Sequence, residues 1–192
     1  MRLLPALATA VVCLATACGG ATSGSDDAIA EEGALASTPD QQRAAIVKIA
    51  HADAAGKHPG GRCYAAVAKY IDTVGYGKMR AQPKSAIGSL PAIPNDYSAY
   101  AHQFADYAND HLSELGLTRL SLDNPYDAPS GAIVVVRAGT PGTHHPTAGD
   151  IVVADGKGNF YNDGAMGYGG SDNFPPGNDF VLGAYLPEGS TQ

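Results

Sequence analysis

Gly131-Ala132-Ile133-Val134-Val135-Val136 is where the chain changes character. An unbroken β-branched run with no polar alternation predicts a strand buried on both faces, with material packed on either side of the sheet. Downstream, Asp150-Ile151-Val152-Val153-Ala154 reads as a second strand. Asp155-Gly156-Lys157-Gly158 then predicts a hairpin turn into Asn159-Phe160-Tyr161-Asn162-Asp163. A Gly-rich loop spans 164–178, and Phe180-Val181-Leu182-Gly183-Ala184-Tyr185-Leu186 predicts the last strand.

Upstream of Gly131 the apolar residues recur at helical spacing. Thr38, Pro39 and Gln41 form a Thr-x-x-Gln capping box, and Ala45, Ile46, Ile49 and Ala50 supply the stripe of a first helix that ends at Gly56. A second helix begins near Arg62, with Cys63, Ala66, Val67, Tyr70, Ile71 and Val74 on one face and Gly75 as its stop. Residues 77–96, with Pro83, Pro91 and Pro94, read as a loop. A third helix, capped by Asn95 or Asp96, presents Tyr97, Tyr100, Ala101, Phe104, Ala108, Leu112 and Leu115 and closes at Gly116. Helices followed by an antiparallel sheet make an α+β order, with N-terminal helices packed on a small antiparallel sheet.

The first residues have a different purpose. Arg2 precedes an apolar run from Leu3 to Ala17, too short to span a bilayer but suited to a signal peptide over 1–17. Ala15-Thr16-Ala17 is an A-x-A cleavage site, and Leu14-Ala15-Thr16-Ala17-Cys18 is similar to a lipobox, with Ala15 where Leu is preferred. The expectation is an exported chain starting at Cys18 and anchored to a membrane by a lipid there. In a Gram-negative host, Gly19 in place of an acidic retention residue directs it to the outer membrane. Residues 18–37 are small, polar and acidic, the composition of a flexible tether. Residues 38–192 make one domain with room for a core.

With 12 basic and 19 acidic side chains the chain carries −7, which argues against a nucleic-acid partner. Of three cysteines, Cys13 leaves with the signal and Cys18 takes the lipid, so Cys63 is the single thiol of the domain. It is either a buried apolar side chain or a reactive thiol. Its place in a first helical turn, behind Gly60-Gly61 and beside Arg62, favours a thiolate, the nucleophilic form. A nucleophile needs a base and a group that orients the base. His144 and His145 precede the second strand, and Asn162 and Asp163 end the third. Strand alternation lets only one of Asn162 and Asp163 face a histidine. Asp155-x-Lys157-x-Asn159 fails as a calcium loop, since Lys157 occupies a ligand position. His51, His58, His144 and His145 have no zinc spacing, and no cofactor is expected.

Gly61-Arg62-Cys63-Tyr64-Ala65-Ala66-Val67 resembles the nucleophile segment of CHAP and NlpC-type bacterial cell-wall hydrolases. Gly131-Ala132-Ile133-Val134-Val135 resembles the strand that follows the helices there, and Phe180 to Pro187 the closing strand. The resemblance covers about 58–188 and implies a papain-like α+β fold in which Cys63, His145 and Asp163 (or Asn162) cut amide bonds of peptidoglycan. Tyr168, in the Gly-rich loop, would offer an aromatic face to a sugar or peptide. In that family a histidine preceded by Gly opens the second strand; here Gly149-Asp150-Ile151 supplies Asp150 instead. Either His144 or His145 reaches in from the loop, or the base is lost. The alternative to hydrolysis is a non-catalytic lipoprotein of the same fold that binds cell-wall peptide or a protein partner, and a third possibility is a structural surface lipoprotein with no site.

Overall fold

The computed structural model describes residues 37–79, 100–167 and 173–191. The segment read as a signal peptide, Cys18, nearly all of the segment read as a tether, Asn95, Asp96 and Tyr168 lie outside them. No described helix is long and apolar enough to cross a membrane.

Helix α1, Pro39–Ala54, starts as its capping box predicts. Thr38 Oγ1 accepts from the Gln41 amide at 3.3 Å, and Gln41 Oε1 accepts from the Thr38 amide at 2.8 Å. Helix α2, Cys63–Val74, stops at Gly75, whose φ of 71° is the left-handed conformation that glycine adopts without strain. The predicted third helix is two pieces. Helix α3 is Ala101–Asp110, helix α4 is Leu112–Leu115, and His111 breaks the run with φ −125° and ψ 28°. Tyr100 precedes α3 and faces solvent rather than the core.

Six strands follow: β1 Leu117–Arg119, β2 Ile133–Val136, β3 Asp150–Ala154, β4 Asn159–Tyr161, β5 Ala165–Gly167 and β6 Val181–Pro187. They form one antiparallel sheet in the order β1-β6-β2-β3-β4-β5. Strands β1 and β5 escape a periodicity reading because three residues show no period. The predicted α+β class is therefore what the chain adopts, with the sheet wider than the four strands the pattern gave.

The β-branched run lies at the centre of that sheet, and each of its faces meets a separate core. Ile133, Val135, Ile151, Val153, Tyr161 and Tyr185 pack against α1, α2 and α3 through Ile46, Val67, Ile71 and Phe104. On the other face Val134, Val136, Val152, Phe160 and Leu186 are covered by Ala128, Phe174 and Phe180 from the connecting segments. Each fully buried Val or Ile of this kind contributes about 1.5–3 kcal/mol. Two-sided burial is why the run lacks polar alternation. The first of these cores presses the start of α2 against the start of β3.

Candidate functional site: the start of helix α2 against strand β3

Cys63 is the first residue of α2 and Asp150 the first of β3. The Cys63 thiol donates a hydrogen bond to the Asp150 carboxylate. Asp150 Oδ1 also accepts from the Ile151 amide at 2.8 Å and from Asn162 Nδ2 at 2.9 Å. Asn162 Oδ1 in turn accepts from the Gly164 amide at 3.1 Å. All three side chains are enclosed: Cys63 is 5% exposed, Asp150 2% and Asn162 0%. The result is a buried Cys63–Asp150–Asn162 chain of hydrogen bonds.

Its electrostatics run against a resting thiolate. Burial pushes the Cys63 thiol well above its ordinary range, and the neighbouring Asp150 charge adds to that. Amides of Ile151 and Tyr64 pull the other way without reversing it. Burial likewise raises the Asp150 carboxyl to about 6, opposed by its hydrogen bonds from Cys63, Ile151 and Asn162 and by His144 nearby. An acid beside a thiol cannot supply the positive charge that a cysteine nucleophile needs.

The other residues singled out by the sequence are positioned differently. Asp163 Oδ2 accepts from the Gly60 and Arg62 amides, each at 2.9 Å. It therefore holds the chain entering α2, while its Oδ1 is buried without a hydrogen-bond partner. His145 Nδ1 accepts from the Thr147 amide at 3.3 Å and the Ala148 amide at 3.1 Å, so that nitrogen is committed to its own turn. No hydrogen bond joins Asp163 to His145, or either of them to Cys63, among the described residues. The trio Cys63–His145–Asp163 is thus not assembled; the group beside Cys63 is Asp150, and of the two residues offered for the orienting role it is Asn162 that bonds to it. His144 does approach: its carbonyl oxygen lies 3.7 Å from where a Cβ on Gly61 would sit.

Local structure explains the arrangement. Pairing of Val153 with Tyr161 brings β4 beside β3, and alternation turns Asn162 toward Asp150 and Asp163 toward α2. Gly164 makes the close approach possible, since a Cβ there would meet the Pro59 nitrogen at 2.2 Å. Asn162 appeared in the sequence only as a substitute for Asp163; its burial could not be read there. Beside the start of α2 lies a cavity of about 330 Å³ lined by Lys57, Arg62 and Lys69 together with Asp53 and Asp163. No group of three His, Cys, Asp or Glu among the described residues is arranged to hold a metal ion. Compared with known protein families, curated proteins and solved structures, the chain matches none.

Proposed function

We propose that the chain is an exported, lipid-anchored envelope protein whose domain has a papain-like, CHAP/NlpC-like architecture and binds cell-wall peptide without cleaving it. The observation that carries this reading is the hydrogen bond from Cys63 to Asp150. A papain-like hydrolase needs an imidazole at that place, both to take the thiol proton and to return it to the leaving amine. An enclosed carboxylate keeps the proton on sulfur. The cavity beside α2 supports binding of a peptide, because Arg62 and Lys69 line it and offer positive charge to a carboxylate.

The mature protein is incubated with purified peptidoglycan, and released fragments and bound protein are both measured. Expected are saturable binding and no fragments. Fragment release abolished by Cys63→Ser would overturn the reading in favour of hydrolysis. Asp150→His, which restores an imidazole opposite the thiol, is expected to make Cys63 reactive to alkylation near neutral pH. Export and anchoring have their own test: the intact mass of the membrane-extracted protein should match a chain from Cys18 plus acyl groups, and a mass retaining Met1 would exclude processing.

A further inference from the structure

The turn ahead of β3 and the residue ahead of α3 bring three rings together. Tyr100 is 44% exposed, the one large apolar side chain so exposed among the described residues. Its ring centroid lies 5.5 Å from that of His145 and 5.8 Å from that of His102, the planes tilted by 43° and 35°. Both imidazoles are held by the same turn. His102 Nδ1 lies 3.2 Å from the Ala148 carbonyl oxygen, and His145 Nδ1 receives the amides of Thr147 and Ala148.

These bonds determine the tautomers. A carbonyl only accepts, so His102 Nδ1 carries the hydrogen and Nε2 of the neutral ring is a lone pair. An amide N–H only donates, so His145 Nδ1 is the lone pair and Nε2 carries the hydrogen. Neither Nε2 takes a hydrogen bond among the described residues. An exposed aromatic ring is therefore flanked by a donor, Nε2 of His145, and by Nε2 of His102, an acceptor when that ring is neutral.

We propose that Tyr100, His102 and His145 form a platform for a neutral sugar ring. A hydroxyl both donates and accepts, which matches the two unused nitrogens, and the C–H face of a pyranose lies against a phenol ring with its hydroxyls left free to bond at the edge. The chain's −7 charge disfavours the anionic alternatives, nucleotides among them. The inference deepens the binding reading above and rests on it for the source of the sugar, the glycan strand of the cell wall.

The test titrates the full mature protein with a peptide-free N-acetylglucosamine tetramer and, separately, with a cell-wall stem peptide. Saturable sugar binding is expected, weakened about tenfold or more by Tyr100→Ala and by His145→Ala and kept by Tyr100→Phe. Tyr100 is exposed, so unchanged thermal midpoints will show that the variants fold. Peptide binding without sugar binding, or a Tyr100→Ala protein that holds the sugar as tightly as wild type, overturns the platform. Sugar binding without peptide binding supports the platform and overturns the peptide reading instead.

Discussion

Asp150 faces Cys63 across the junction of β3 and α2 and accepts the thiol hydrogen, so the group beside the thiol is a carboxylate and not the imidazole that a cysteine nucleophile needs. Asp150 raises the proton affinity of the thiol, while the bond from Cys63 partly offsets the rise that burial imposes on Asp150. A thiol in that setting is held neutral, and its chemistry is that of a core residue.

Alkylation of Cys63 should accordingly be slow. At about pH 7 the folded protein is expected to leave the peptide containing Cys63 unmodified by iodoacetamide over hours, while denaturant exposes it to rapid labelling. Mass mapping checks this. Rapid labelling of the folded chain below neutral pH would mean that an activated thiolate exists after all.

The carboxyl of Asp150 makes stability depend on pH in a defined direction. Its proton affinity rises from 3.8 to about 6 on folding, so the folded chain takes up a proton between those values. The contribution of Asp150 to stability is then fully present below about pH 4 and is lost as the pH rises through about 6, a change of about 3 kcal/mol. Asn at this position keeps an acceptor for Ile151 and Asn162 and carries no charge. Asp150→Asn is expected to be about 1–3 kcal/mol more stable than wild type near pH 7.5 and equal to it near pH 4, read from denaturant midpoints at both. A difference that does not change with pH would contradict a buried, titrating acid.

Asp163 is expected to matter to folding rather than to an imidazole. It accepts from two backbone amides, those of Gly60 and Arg62, at the entrance to α2. Asp163→Ala leaves both without their acceptor and should cost about 2–3 kcal/mol in equilibrium unfolding, with Asp163→Asn costing less because an oxygen remains. If Asp163→Ala is as stable as wild type, the loop does not depend on this side chain.

Gly164 should tolerate no side chain. A Cβ would meet the Pro59 nitrogen at 2.2 Å and the His58 carbonyl carbon at 2.4 Å, both backbone atoms that cannot rotate away. Gly164→Ala is expected to cost about 1–3 kcal/mol, since the segment before α2 and the turn after β4 must separate. A wild-type unfolding curve for this variant would argue against their contact.

Much of the fold was legible because its signals are local. The Thr38–Gln41 capping box, the Gly75 stop and the Asp155–Gly158 turn each act within a few residues, and they recover α1, α2 and the β3–β4 hairpin. The Ile133–Val136 run identifies a strand covered on both faces, since only such a strand omits polar residues. Short β1 and β5, and the break at His111, carry no comparable signal. The sequence also narrows the site to Cys63, the histidine loop and the end of β4. Which polar group faces the thiol is another matter. That depends on how α2 docks on β3 and on the β3–β4 register, in which a step of one residue exchanges Asn162 for Asp163. Packing of the Ile46, Val67 and Ile151 core sets that docking, and it turned Asp150 and Asn162 inward, gave Asp163 to the backbone ahead of α2, and left His145 beside Tyr100. Local chemistry chose the elements; long-range packing chose their partners, because a side chain's neighbours across a sheet are far away in the chain.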